Sequence, residues 1–278
     1  MSERIVGRVQ VERQWLAYSR SAPAPSVVLL HGIPTSRYLW RNITKLLSAA
    51  GHGWIAFDLL GYGESDKPLG VDPGIREQAR FISSALHQLG WAGGTIVGHD
   101  IGGGVAQLLG LDESLKIDRL VLVDSVAYDS FPEPGIARLK EPVWEQILGA
   151  PDFDLKKGLL KGLQKGIVHS DKVTLELVDQ YERPFSGVAG RLAYLRAARS
   201  LRSEDLVSRS HEIERLAIPV LLVWGSMDAF QPLRFAQRLA TALPNARLEV
   251  IESAGHFLPE DVPDALGELI VNFLEAAE

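Results

Sequence analysis

Apolar residues in this chain fall into short runs separated by longer amphipathic stretches. Residues 5 to 19 alternate well enough to be a strand pair. Six compact runs follow: Val27 to Leu30, Trp54 to Phe57, Thr95 to Val97, Leu120 to Val123, Val220 to Trp224 and Leu248 to Ile251. Runs that are apolar on both faces suit the strands of a parallel sheet covered by helices. Between them the period changes. Phe81, Ile82, Ala85, Leu86 and Leu89 form one stripe at helical spacing, and Leu266, Leu269, Ile270, Phe273 and Leu274 form another. Strand alternating with helix predicts the α/β class.

The alternation stops between about Ala127 and Ile213, where Pro132, Pro134, Pro142, Pro151 and Pro184 punctuate short helical pieces and no strand-like run occurs. The pattern predicts a helical cap over residues 127–213, inserted into a core made of residues 1–126 and 214–278. Such an insertion covers the carboxyl edge of the sheet, where open α/β sheets bind ligands. Within it, "DLKKGLLKGLQKG" is basic and amphipathic. Its glycines weaken a free helix, which favours a cap helix with one solvated face over a helix lying on a membrane.

Composition narrows the partners. The chain has 278 residues, 46% of them hydrophobic, ample for a substantial core. A formal charge of −6, with lysines and arginines scattered, offers no field for a polyanion, so nucleic acid is not expected. No apolar run approaches the ~20 residues of a membrane helix. "MSERIVGRVQVERQW" lacks the apolar core of a signal peptide, so a cytoplasmic location is expected. The absence of cysteine excludes disulfides, thiolate metal sites and a Cys nucleophile. The histidines show no helical pairing with a carboxylate that suggests a metal, and neither "GYGESD" nor "GHDIGG" satisfies the G-x-G-x-x-G dinucleotide pattern. The expected partner is a small apolar organic substrate, with the chain a monomer or homodimer.

The chemistry concentrates in "IVGHDIGGG", residues 96 to 104. Gly98-His99-Asp100-Ile101-Gly102 has the spacing of a tight strand-turn-helix elbow, whose glycines leave room for a nucleophile raised above the sheet. Serine is the usual occupant, and here it is a carboxylate. Attack on an ester would give a mixed anhydride, whereas attack on an sp3 carbon gives an alkyl ester, so Asp100 selects alkyl over acyl transfer. The alternative is that Asp100 caps the next helix. Two partners follow later strands: Asp228 in "WGSMDAF" and His256 in "SAGHF". Nucleophile, acid, base is the chain order of an α/β-hydrolase arrangement. His256 would activate the water that hydrolyses the ester, and Asp228 would hold the imidazole tautomer. Asp124, ending "LVLVD", is the rival acid. Backbone N–H groups of Ile33, in "HGIP", and Ile101 would form the oxyanion hole. Asp58 is expected to be structural, in a loop with Gly61 and Gly63. No cofactor is required.

These residues sit in a wider likeness. "HGIPTSRYLWRNI", "DLLGYGESDKP", "GHDIGG" and "YERPF" resemble segments of the haloalkane dehalogenase and epoxide hydrolase branch of the α/β-hydrolase superfamily, over nearly the full length. The resemblance implies an eight-stranded, mostly parallel sheet flanked by helices, a helical cap inserted after strand six, and a covalent alkyl-aspartate intermediate. Haloalkane dehalogenases hold the halide with an Asn and a Trp side chain, at positions occupied here by Ile33 and Ile101. Trp144, in "EPVWEQIL", is a substitute donor or a packing residue. Fluoroacetate dehalogenases place an Arg where Ile101 stands. Epoxide hydrolases use cap tyrosines as acids, which makes Tyr181, Tyr194 and Tyr128 candidates. Overall resemblance puts a dehalogenase first, with an epoxide hydrolase as the alternative. An esterase or lactonase and a non-catalytic ligand-binding protein are the remaining readings.

Overall fold

Every predicted run becomes a strand of one sheet in the computed structural model, which describes residues 4–21 and 24–276. Residues 1–3, 22–23 and 277–278, which the expected core boundaries include, lie outside the described residues. The strands are β1 (Ile5–Val11), β2 (Gln14–Arg20), β3 (Val27–Leu30), β4 (Trp54–Phe57), β5 (Gly94–His99), β6 (Ile117–Val123), β7 (Val220–Gly225) and β8 (Ala246–Ile251). Their order across the sheet is β1-β2-β4-β3-β5-β6-β7-β8, and only β2 runs against the others.

The burial of each strand follows from its place. Every residue of β3, β4 and β7 is buried, as expected of strands with helices over both faces. β8 is the edge strand, with Arg247 exposed and the rest half-buried. The first helices are α1 (Ile43–Ala49), α2 (Ile75–Gln88) and α3 (Ile101–Leu109). The stripe predicted on α2 is its buried face, with Phe81, Ile82, Ala85 and Leu86 all in the core.

Among the described residues no strand lies between β6 and β7. That stretch holds α4 (Pro134–Arg138), α5 (Val143–Gly149), α6 (Leu155–Gly166), α7 (Leu175–Glu182), α8 (Gly187–Arg199), α9 (Glu204–Val207) and α10 (Ser210–Ile213). The basic segment is α6, capped by Asp154, whose carboxylate accepts from the Lys156 N–H at 3.0 Å. Three of its four leucines, Leu155, Leu159 and Leu163, are buried and line a cavity, so its apolar face has a partner within the chain. The chain then returns to the sheet and ends through α11 (Leu233–Ala242), α12 (Leu258–Asp261) and α13 (Pro263–Glu275), with α13 packed on α1. Among the described residues no helix is long and apolar enough to cross a membrane.

Parallel neighbours place their carboxyl ends along one edge. β3, β5, β6, β7 and β8 thereby deliver "HGIP", Asp100, Asp124, Asp228 and His256 to the same side of the sheet.

Candidate active site

The elbow leaves β5 and enters α3 through Asp100, whose backbone is at φ 52° and ψ −119°. That is a strained conformation for a residue with a side chain, and it persists only where the surroundings enforce it. Here they do. A Cβ on Gly98 would lie 2.2 Å from the Gly102 carbonyl oxygen, and one on Gly102 would lie 2.3 Å from the Leu30 carbonyl oxygen. The turn therefore admits no side chain at either flank. Gly102→Ala is expected to destabilise the fold by about 1–3 kcal/mol through overpacking and to displace Asp100. A thermal melt with an activity assay checks this, and native values for both would contradict the steric account.

Asp100 stands at the N-terminus of α3, but its side chain makes no capping bond there. Its Oδ2 instead accepts the Ile33 N–H at 3.0 Å, with the Ile101 N–H also directed at the carboxylate. Burial pushes its pKa up to about 6, against the pull of the His256 charge and those two N–H groups. Beside it, His256 is buried, and its Nδ1 donates to Asp228 Oδ2 at 2.9 Å. Asp228 is fixed in turn, since its Oδ1 accepts the Phe230 and Gln231 N–H groups at 2.7 and 2.9 Å. With Nδ1 as donor, Nε2 is the basic nitrogen. Burial pulls the imidazole pKa down. The charge and hydrogen bond of Asp228, with the Asp100 charge, outweigh that and leave it raised.

Asp124 does not reach the imidazole. Its Oδ1 accepts the Gly225 N–H at 2.9 Å, and Oδ2 has no hydrogen-bond donor among the described residues. Burial and the neighbouring Asp228 charge push its pKa well up, which favours a neutral acid. Asp58 has the structural place expected of it. It accepts the Arg37 and Glu64 N–H groups, both at 2.7 Å, and pairs with the Arg37 guanidinium.

Asp100 and His256 open into a cavity of about 330 Å³ between the sheet edge and the helices from α4 to α8. Its walls are mostly apolar and include the Ile33 and Ile101 side chains. The four expected leaving-group donors separate here. Tyr194 and Trp144 line the cavity, and no hydrogen bond acts on the Tyr194 hydroxyl among the described residues. Burial and the Glu133 charge push the Tyr194 pKa up to about 12. Tyr181 also lines the cavity, but its hydroxyl donates to Glu260 at 2.5 Å, and Arg41 grips the same carboxylate at 2.5 and 2.6 Å. Tyr128 is absent from the lining; its ring lies 3.5 Å below the Arg238 guanidinium.

Some contributors are invisible in sequence spacing. His99, within the elbow itself, is fully buried, and its Nε2–H donates to the His256 carbonyl at 2.9 Å. Burial and the His256 charge hold its pKa well below the usual value, so it remains neutral. Glu260 and Asp261, on α12 just after His256, tie that region to α6 and α7. Among the described residues no cluster of three or more acidic or histidine side chains could hold a metal.

Comparison with known proteins bears on the fold that carries these residues. The soluble epoxide hydrolase of Corynebacterium sp. strain C12 is 32% identical over 265 residues, covering 89% of each chain. The solved structure of the epoxide hydrolase CorEH superposes with a TM-score of 0.81 at 26% identity, covering 98% of both chains. That of the haloalkane dehalogenase DbeA from Bradyrhizobium elkani superposes at 0.79 with 25% identity, again over 98% of both. The family model described as alpha/beta hydrolase fold matches residues 25–263, and with the eight-stranded sheet it establishes that the chain belongs to the alpha/beta hydrolase fold family.

Proposed function

We propose that this protein hydrolyses epoxides of small apolar compounds through an alkyl ester on Asp100, with residues 127–213 as the cap that closes the cavity. Asp100 attacks an epoxide carbon, forming a C–O bond as the ring C–O bond breaks. The departing oxygen takes the Tyr194 proton and becomes a hydroxyl. His256 then removes a proton from water as the water oxygen adds to the ester carbonyl carbon. The Ile33 and Ile101 N–H groups hold the oxyanion, and Asp228 stabilises the imidazolium. Collapse expels the diol oxygen, which takes the remaining proton of the added water and leaves Asp100 as its carboxylate, and the imidazolium proton restores Tyr194. Epoxide and water give a diol, with no cofactor and no net acid.

The observation that carries this reading is the uncommitted Tyr194 hydroxyl in a mostly apolar wall that also holds the Asp100 carboxylate. A departing halide needs donors instead of a proton, and Ile33 and Ile101 present none from their side chains. Trp144 supplies one indole N–H, which supports a dehalogenase as the second reading. One assay separates them. In weak buffer with a pH indicator, a panel of epoxides is expected to give diols without acidification, and chloro-, bromo- and iodoalkanes no acid. Acid from the haloalkanes with inert epoxides would replace the first reading by the second.

A further inference from the structure

His256 is aimed by its side-chain bond to Asp228, but its backbone is held by something else. The stretch from Gly255 to Asp261 leaves β8, carries His256 and becomes α12. It lies against the end of α6, where the Phe257 N–H donates to the Gly166 carbonyl at 3.1 Å. At the centre of this contact is the Asp261 side chain, which is fully buried.

Its carboxylate accepts four donors. Oδ2 takes the Gly255 N–H at 2.8 Å and the Val168 N–H at 3.0 Å. Oδ1 takes the His169 N–H at 2.9 Å and faces the His169 Nδ1 at 2.7 Å. One donor belongs to the residue before His256, and three belong to the chain just after α6, whose buried leucines line the cavity. Contact there is close. A Cβ on Gly255 would sit 2.3 Å from the Gly166 carbonyl oxygen, so this approach requires glycine at 255. Burial raises the Asp261 pKa, but the N–H groups of His169, Val168 and Gly255 outweigh it and leave the carboxyl below its usual value. A carboxylate with this many donors holds its neighbours in fixed register.

We propose that Asp261 is a positioning residue for His256, locking the base loop to the end of α6 so that the imidazole stays aligned with the water that hydrolyses the Asp100 ester. This rests on the reading that His256 activates that water. The two halves of the reaction then respond differently. Formation of the ester uses Asp100 and Tyr194 and does not use His256. Its hydrolysis depends on where the imidazole sits, and a misplacement of about 1 Å costs on the order of 100-fold.

The test is Asp261→Asn in the full chain, with the epoxide of the panel that the wild type turns over fastest. The Asn oxygen keeps some of the donors, while its NH2 group faces the others and displaces them. We expect kcat and KM to fall together by about 10- to 100-fold, with kcat/KM unchanged because ester formation is intact. The alkylated Asp100 peptide is expected to accumulate during turnover. A purely structural clamp predicts a fall in kcat/KM alongside kcat and no accumulated ester, and that result overturns the proposal. His169→Ala removes one donor from a half-exposed position and carries the test if Asp261→Asn does not fold. It is expected to show the same joint fall at about threefold, the size of one modest hydrogen bond, and wild-type constants in it overturn the proposal. His256→Gln is the control. If it leaves Asp100 unmodified, the underlying reading fails. If it traps the ester while Asp261→Asn does not, only the role of Asp261 fails.

Discussion

His256→Gln is expected to stop turnover while leaving the first half of the reaction running, so that Asp100 becomes covalently modified by substrate. The reason lies in which step needs a base. Asp100 ionises above about 6, so at pH 8 it attacks without help. The ester it forms can leave only through water, and among the described residues the sole imidazole paired with a fixed carboxylate at the cavity belongs to His256. Loss of the base is expected to lower kcat by at least about 10³-fold, within the range attributed to general-base catalysis. Mass spectrometry of the peptide containing Asp100 reads the result directly. An epoxide adds its whole mass, since its oxygen stays on the neighbouring carbon as a hydroxyl, whereas a haloalkane adds its mass less that of the hydrogen halide. The same peptide thus reports both the nucleophile and the class of leaving group. An unmodified Asp100, in a variant that folds and with a wild type that turns over, rules out the alkyl-ester mechanism.

Much of this layout is legible in the sequence, for a physical reason. Strands buried on both faces cannot alternate, so Val27 to Leu30, Trp54 to Phe57 and Val220 to Trp224 stand out as unbroken apolar runs. The elbow is legible because two backbone collisions forbid any side chain at Gly98 and Gly102. Edge positions are harder. Leu248 to Ile251 looked buried on both faces, yet β8 has a neighbour on one side only and its residues stay half-exposed. Spacing favours Asp228 but leaves Asp124 as a rival, since both follow adjacent strands. The choice turns on loop path. Asp124, directly at the end of β6, is taken up by the Gly225 N–H, while Asp228, three residues past β7, reaches the imidazole. The capture of Tyr181 by Glu260 joins residues 79 apart in sequence, and no local pattern records it. Asp261 is hidden for the same reason, because three of its four donors lie more than 90 residues upstream.

Tyr194→Phe is expected to lower kcat/KM for epoxides by about 10²- to 10⁴-fold, the range of general-acid contributions. The loss falls on ring opening, the step in which the departing oxygen needs a proton, and hydrolysis of an ester already formed is unaffected. Stability is expected to change by no more than about 0.5 kcal/mol, because no hydrogen bond acts on the Tyr194 hydroxyl among the described residues. Tyr181→Phe reverses the pattern. It removes a donor from the buried Glu260 carboxylate, and a hydrogen bond to a charged group contributes about 1.5–3 kcal/mol, so the melting temperature falls while ring opening persists. The pH dependence sharpens the contrast. Asp100 must be ionised, so wild-type kcat/KM falls as pH drops through about 6, whereas the Tyr194 proton is retained up to about 12 and sets no limit near neutrality. In Tyr194→Phe the acid limb is expected to keep its position at a lower plateau, since the nucleophile is untouched. Full activity in Tyr194→Phe together with its loss in a stably folded Tyr181→Phe would transfer the acid role to Tyr181. Glu260 would then have to release the Tyr181 hydroxyl before each turnover, because a hydroxyl that donates to a carboxylate has no second proton for the substrate.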